Sequence, residues 1–201
     1  MTPAAVVFDV GNVLVEWNRD RLYVELIPDE QKRADFFNEV LTIHVNLALD
    51  AGVPFSALLG ELADMHPTWR TEILAFNSRW GDTFGPEDDE MVELVADLQT
   101  ADVPVYALTN FAAEKWPLAL ERHPWLEDLD GAVVSGQERV TKPNRKIYDV
   151  LIDRYELEPA ATWFTDDAVT NVEGAHAAGW QAELFIDAAT TRHSLETLGL
   201  L

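Results

Sequence analysis

The sequence contains no cysteine, few basic residues and no long apolar run. Without cysteine it has no disulfide, thiolate nucleophile, iron–sulfur cluster or cysteine-based zinc site. Its 14 basic residues stand against 36 acidic ones, for a formal net charge of −22, which excludes general binding to nucleic acid or to an anionic membrane surface. No stretch approaches the roughly 20 apolar residues that cross a bilayer, and no basic segment precedes the short apolar run near residue 4. We expect a soluble, cytoplasmic protein without nucleic-acid or membrane partners. The sequence does not define its oligomeric state.

The apolar residues that are present predict an α/β fold. Their share is 48% in a chain of 201 residues, enough for one domain that carries an insertion. Five short apolar runs predict strands buried on both faces: Ala4–Phe8, Val103–Leu108, Gly131–Val134, Thr162–Thr165 and Ala182–Ile186. Helical patterns separate them, one of them beginning near Pro143, a residue favoured in a first helical turn. This alternation predicts a Rossmann-like parallel sheet sandwiched by helices.

The segment between the first two predicted strands breaks this alternation. It contains helical patterns and no clear strand. The predicted helices are 19–26, 29–41, 55–66 and 68–79. We therefore predict an inserted helical cap over residues 17–84 and a catalytic core formed by residues 1–16 and 85–201.

Candidate functional residues follow the predicted strands, where the ligands of open parallel sheets bind. They are Asp9, Gly11, Thr109, Asn110, Lys142, Asp166, Asp167 and Asn171. Taken singly, Asp9 is typical of a turn, Thr109 or Asn110 of a helix cap, and Lys142 of a solvated charge. Taken alone, Asp167 fits the N-cap of the following helix as well as it fits a functional site. Together, however, these side chains would converge on one crevice.

The chemistry of this set points to a metal ion and a phosphoryl group. Clustered carboxylates repel one another unless a cation lies between them, and oxygen ligands without cysteine or histidine favour Mg²⁺. A magnesium ion, a lysine, a hydroxyl and an amide can offset the charge of a transferring phosphoryl group. A remaining carboxylate can act as the nucleophile and form an aspartyl phosphate.

Four segments resemble the motifs of the haloacid dehalogenase-like (HAD) hydrolase superfamily. These are Asp9 in the string FDVGNVL, Thr109, Lys142-Pro143, and Asp166-Asp167 with Asn171. The resemblance covers nearly the whole chain and includes a helical cap after the first motif. It is greatest to the branch that contains α-D-glucose-1-phosphate phosphatase and the phosphatase domain of soluble epoxide hydrolase.

This resemblance implies a role for each candidate in a magnesium site. Asp9 resembles the residue that is both nucleophile and metal ligand, and Gly11 stands where a backbone carbonyl binds the metal. Asp167 matches the metal carboxylate of the last motif, with Asp166 and Asn171 as direct or indirect support.

The resemblance also implies roles toward the phosphoryl group. Thr109, with Asn110, resembles the donor to phosphate oxygens, and Lys142 resembles the cation that offsets the charge of nucleophile and phosphate. Typical phosphatases of the superfamily have an aspartate as general acid/base where this chain has Gly11, although the branch named above shares the glycine. Glu16 is a candidate replacement, but an ordinary solvated glutamate explains it equally well.

The predicted function is a Mg²⁺-dependent phosphomonoesterase that acts on a small phosphorylated metabolite, such as a sugar phosphate, through an aspartyl phosphate. One alternative is a metal-free 2-haloacid dehalogenase that forms an aspartyl ester, because halide leaves without a proton. Another is a non-catalytic relative that binds a phosphorylated ligand. Four aromatic residues of this chain are candidates for the lining of its ligand pocket, although the hydrophobic core is the commoner location of such residues: Trp17, Trp69, Trp80 and Phe111.

Overall fold

The computed structural model describes residues 2–201, which fold around a five-stranded parallel sheet. The strands of the chain are β1 (Ala5–Phe8), β2 (Val15–Trp17), β3 (Phe84–Glu87), β4 (Val105–Thr109), β5 (Gly131–Val134), β6 (Thr162–Asp166) and β7 (Gln181–Leu184). The central sheet has the order β5-β4-β1-β6-β7, and every neighbouring pair is parallel. The predicted α/β fold with a Rossmann-like sheet is therefore confirmed.

Helices cover both faces of this sheet. They are α1 (Asp20–Leu26), α2 (Glu30–Glu39), α3 (Ile43–Asp50), α4 (Phe55–Met65), α5 (Arg70–Ser78), α6 (Asp89–Thr100), α7 (Trp116–Arg122), α8 (Ser135–Glu138), α9 (Arg145–Tyr155), α10 (Val169–Ala178) and α11 (Ala188–Thr197). Short 3-10 turns occupy Pro67–Trp69, Trp80–Thr83, Pro124–Asp128 and Pro159–Ala161. Among residues 2–201, no helix has the length and apolarity needed to cross a membrane.

Buried side chains form one hydrophobic cluster on each face of the sheet. Val7 and Phe164 pack on one face against α9 and α10. Val6 and Phe8 belong to the other cluster, which continues without a break into the inserted helices. Strands buried on both faces are continuously apolar, which is why the sequence pattern located them.

Three details of the predicted elements are wrong. Strand β7 lies at the edge of the sheet, with Leu184 exposed, and Ile186 lies beyond its end with 63% of its surface exposed. Pro143 is not in a first helical turn, because α9 begins only at Arg145 and Asn144 caps it by accepting from the Lys146 amide. Strand β4 begins at Val105, and Val103 lies outside it, just after the turn at Ala101 and Asp102.

The segment between β2 and β3 is helical, and it contains α1 to α5. The sequence pattern missed α3, and it missed the antiparallel β2–β3 pair in which Trp17 lies opposite Phe84. This pair closes the two ends of the helical insertion. The division into a cap at 17–84 and a core remains a prediction, since both parts share one hydrophobic cluster.

Polar contacts hold the insertion against the sheet. The Ser135 hydroxyl donates to the backbone oxygen of Asp50 at 2.6 Å. The Lys115 ammonium donates to the backbone and side-chain oxygens of Asn77 at 2.9 and 2.7 Å. The end of α3 is therefore fixed beside the carboxyl edge of the sheet, where the candidate site lies.

Candidate active site

Asp9 directly follows β1 and is only 7% exposed. Its Oδ1 accepts from the Val10 amide at 2.7 Å, and the backbone then turns through Asn12, which adopts a φ of +59°. Asparagine tolerates this left-handed conformation better than most residues. Burial, partly offset by the charge of Lys142, raises the pKa of Asp9 to about 7. The carboxyl group is held in place by the turn and is largely removed from solvent.

Lys142 lies at the centre of the site and is 2% exposed, so it is not a solvated charge. Its ammonium contacts Asp9 Oδ1 at 3.0 Å and donates to Asp166 Oδ2 at 2.6 Å and to the Leu108 carbonyl at 2.7 Å. Burial alone lowers the pKa of Lys142, but the carboxylates of Asp9 and Asp166 outweigh burial and raise it. Lys142 is therefore a buried cation shared between two carboxylates.

Asn110 positions this lysine through its backbone. Its Oδ1 accepts from the Lys142 amide at 2.8 Å, and its Nδ2 donates to the Lys142 carbonyl at 3.1 Å. Thr109, which ends β4, is 1% exposed and lines the same cavity as Asp9. Neither residue caps the next helix, since α7 begins at Trp116.

Three carboxyl groups meet beyond β1 and β6. One oxygen from each of Asp9, Asp166 and Asp167 lies within 4.8 Å of the other two. Asp166 is fully buried, and both its oxygens accept from Asn171 Nδ2, at 2.9 and 3.0 Å, while Oδ1 also accepts from the Ala168 amide. These protein donors, together with Lys142, already satisfy Asp166.

Asp167 differs from its neighbour because it is exposed to solvent. Its Oδ2 accepts a long hydrogen bond of 3.4 Å from Asn12 Nδ2. Although the residue as a whole is exposed, its carboxyl lies against the protein, and this partial loss of solvent, followed by the charge of Asp166, raises its pKa. It does not cap α10, whose N-cap is Ala168. Asp9 and Asp167 thus offer carboxylate oxygens that a hard cation such as Mg²⁺ fits, with the Gly11 carbonyl nearby in the chain.

These residues open onto a cavity of about 240 Å³ between the sheet edge and the inserted helices. One wall is polar and contains Asp9, Thr109, Asn110, Asp167 and Asn171. The rest of the lining is largely apolar. It contains Val15, Trp17, Ile43, Leu47, Trp80, Phe84 and Phe111.

The structure therefore brings all the predicted site residues to one place. Among the four aromatic candidates, Trp69 is the one that does not line the cavity; it packs on Phe36 with ring centroids 5.2 Å apart. Glu16 faces elsewhere, since it pairs with Arg21 at 3.3 Å and lines a separate cavity beside Glu87.

Besides Asn12, sequence reasoning missed the polar cavity residues of α3, Asn46 and Asp50. Asn46 Nδ2 donates to Asp50 Oδ2 at 2.9 Å. Burial, followed by the negative charge of Asp9, raises the pKa of Asp50 to about 8. Asparagine and aspartate four residues apart face the same side of a helix, but that spacing alone does not reveal the cavity.

The fold and this carboxylate-rich edge of a parallel sheet define an α/β enzyme. A family model of haloacid dehalogenase-like hydrolases matches residues 3–179. The chain belongs to this family, as the sequence motifs predicted, and is a hydrolase of the HAD type. No curated protein sequence matches it significantly.

Solved structures support the same fold. A predicted HAD-like family hydrolase from Porphyromonas gingivalis is 22% identical, with a TM-score of 0.74 over 96% of this chain and 98% of that one. A HAD family enzyme from Bacteroides thetaiotaomicron, in complex with magnesium and inorganic phosphate, is 18% identical, with a TM-score of 0.70 over 90% and 93% of the two chains. L-2-haloacid dehalogenase from Xanthobacter autotrophicus, with chloropropionic acid covalently bound, is 17% identical, with a TM-score of 0.66 over 96% and 83%.

Proposed function

We propose that this hydrolase is a Mg²⁺-dependent phosphomonoesterase that acts on a small phosphorylated metabolite through a phosphorylated Asp9. The observation that carries the proposal is the division of labour among the carboxylates. Hydrogen bonds from protein donors already satisfy the Asp166 carboxylate, whereas Asp9 and Asp167 present oxygens to the cavity beside a buried lysine. Such an arrangement suits a cation and a phosphoryl group together.

The residues have distinct roles in this reaction. Asp9 Oδ1 is held by the Val10 amide and by Lys142, which leaves Oδ2 to attack phosphorus as the bond to the leaving oxygen breaks. The Thr109 hydroxyl donates to a phosphate oxygen. Water then attacks the phosphorylated Asp9 and releases phosphate.

The metal-binding residues in this proposal are Asp9, the Gly11 carbonyl and Asp167, with Asp166 and Asn171 behind them. A bound Mg²⁺ supplies positive charge that offsets the carboxylates and the phosphoryl oxygens. Asn171 and Lys142 hold Asp166 in place. The magnesium and phosphate in the B. thetaiotaomicron enzyme, which has the same fold, support this choice of ion and ligand.

The cavity also argues against the 2-haloacid dehalogenase. A 2-haloacid brings its own carboxylate, which needs a cationic or strongly donating partner. Within residues 2–201, the side chains that line the cavity include the acids Asp9, Asp50 and Asp167 and no lysine or arginine. The covalent chloropropionic acid adduct of the X. autotrophicus enzyme nevertheless keeps this second candidate open to test.

A two-substrate assay tests the proposal. We expect the wild type to hydrolyse 4-nitrophenyl phosphate with Mg²⁺, to lose that activity reversibly in EDTA, and to leave 2-chloropropionate intact in both conditions. Halide release in EDTA would instead establish the dehalogenase, and the absence of both activities would favour a non-catalytic phosphate-binding relative.

Replacement of Asp9 tests the nucleophile. Asp9→Asn lacks the anionic oxygen, so its kcat should fall to less than about 1% of wild type, a loss within the usual range for removal of a catalytic group. The control Asp153→Asn makes the same change on the exposed face of α9 and should keep full activity. Substantial turnover by freshly prepared Asp9→Asn, with deamidation excluded by mass spectrometry, would refute the assignment.

A further inference from the structure

The residues assigned so far supply no proton for the leaving oxygen of the proposed reaction. Gly11 has no side chain. A Cβ at this position would have Trp17 Cβ, 3.9 Å away, as its nearest contact. The site is therefore not closed to a side chain at this position. Glu16 is paired with Arg21 and lines a different cavity. A proton donor must come from another part of the cavity.

Asp50 is the one further carboxyl group that lines the Asp9 cavity within the described residues. It is the last residue of α3, so it faces the site from the inserted helices. Its backbone oxygen accepts from Ser135 Oγ at 2.6 Å, and the same hydroxyl accepts from the Phe111 amide at 2.8 Å. This link ties the end of α3 to the sheet edge that carries Thr109.

Two donors orient the carboxyl group of Asp50. Asn46 Nδ2 donates to Oδ2 at 2.9 Å, and the Ala112 amide also donates to the carboxyl. The charged groups that act on it are Asp9, which raises its pKa, and Lys142, which lowers it, while burial is the largest effect and raises it. A partly buried carboxyl group of this kind, held by two donors at the edge of a cavity, can carry a proton near neutral pH.

We propose that Asp50 donates the proton to the leaving-group oxygen and later accepts one from the attacking water. In the first step the Asp9–phosphorus bond forms, the bond between phosphorus and the leaving oxygen breaks, and the Asp50 proton passes to that oxygen. In the second step the Asp50 carboxylate takes a proton from water as its oxygen bonds to phosphorus and the Asp9–phosphorus bond breaks. The cycle returns Asp50 to its protonated form. This inference rests on the proposed phosphatase function.

A leaving-group series tests this role, because basic alkoxides need protonation and nitrophenolates do not. In Asp50→Asn, which keeps the shape of the side chain, kcat/KM should fall about 10²–10³-fold for alkyl phosphates. It should fall less than about tenfold for 4-nitrophenyl phosphate, so the dependence on leaving-group pKa becomes steeper. The control Asp35→Asn, on an exposed position of α2, should match wild type. Gly11→Asp in the Asp50→Asn background should recover part of the alkyl phosphate activity.

Other outcomes would overturn the inference. An equal loss for alkyl and nitrophenyl phosphates would show that Asp50 binds or orients substrate, and no loss would show that it takes no part. If Asp50→Asn does not fold, Asp50→Glu and Asp50→Gln replace it. The kcat/KM of Asp50→Glu should exceed that of Asp50→Gln at least tenfold for alkyl phosphates but not for 4-nitrophenyl phosphate. Equal kcat/KM values for alkyl phosphates would refute the role. Failure of the wild type to hydrolyse 4-nitrophenyl phosphate would refute the phosphatase itself, which separates the two failures.

Discussion

Replacement of Lys142 by methionine should destabilise the protein strongly. The change keeps an unbranched side chain but removes the ammonium from Asp166 Oδ2, the Leu108 carbonyl and Asp9 Oδ1, which lie 2.6, 2.7 and 3.0 Å away. Because the ammonium is buried, removing it leaves two carboxylates without compensation. Breaking a buried ion pair in this way typically costs about 3–5 kcal/mol, a large part of the roughly 5–15 kcal/mol that holds a domain folded.

The loss should depend on pH in a defined direction. Burial already raises the pKa of folded Asp9 to about 7, and removal of the neighbouring cation raises it further. A carboxyl group whose pKa is higher in the folded state binds protons more tightly there, so its contribution to stability is lost as pH rises from the unfolded value through the folded one. The variant should therefore be more impaired at pH 8 than at pH 5.5.

Urea denaturation in EDTA, at both pH values, measures this effect. Lys146→Met is the matched control, since Lys146 is exposed in the next helix and its loss should change stability by less than about 0.5 kcal/mol. The double variant Lys142→Met/Asp166→Asn should lose less than the sum of its single changes, because one unpaired charge is removed. A loss below about 1 kcal/mol for Lys142→Met, or a smaller loss at pH 8 than at pH 5.5, would refute the reasoning.

Two further predictions concern the metal. Asp167→Ala should raise the Mg²⁺ concentration for half-maximal activity and lower kcat, because the cation loses an anionic ligand; an unchanged titration curve would exclude Asp167 as a ligand. Mg²⁺ at about 100 times its Kd should stabilise the wild type by about 2.7 kcal/mol, and by less at pH 5.5 than at pH 8, since protons compete for Asp9, whose pKa is about 7. Thermal melts with Mg²⁺ and with EDTA would show this, and a larger shift at pH 5.5 would contradict it.

The sequence by itself was sufficient to predict the parallel sheet and the residues at its carboxyl edge. A strand buried on both faces must be apolar throughout, so β1 and β6 are visible as local patterns, and a polar residue directly after each is visible too. The motif around Asp9 and the pair Asp166-Asp167 needed no knowledge of the fold. Element ends were less certain at β7, where an edge strand tolerates exposed residues such as Leu184.

Helix α3 shows why part of the site was not predictable. Its apolar residues lie on more than one side, because Leu49 is buried in the core while Ile43 and Leu47, 53% and 40% exposed, line the cavity; no single apolar stripe therefore marks this helix. Its polar residues Asn46 and Asp50 become meaningful only when the chain folds back and Ser135 holds the helix end to the sheet. Local periodicity carries no information about such long-range contacts.

The tertiary structure also determined which carboxylates are satisfied by the protein and which remain accessible. Asp166 and Asp167 are adjacent in sequence and identical in chemistry, yet one is sealed by Lys142 and Asn171 and the other is exposed. Asp166 is the last residue of β6, whereas Asp167 lies in the bend that follows the strand, so the two neighbours meet different surroundings. The sequence alone determined which kinds of groups gather at this edge. Only the packing around them determined which are satisfied by the protein and which remain available to a ligand.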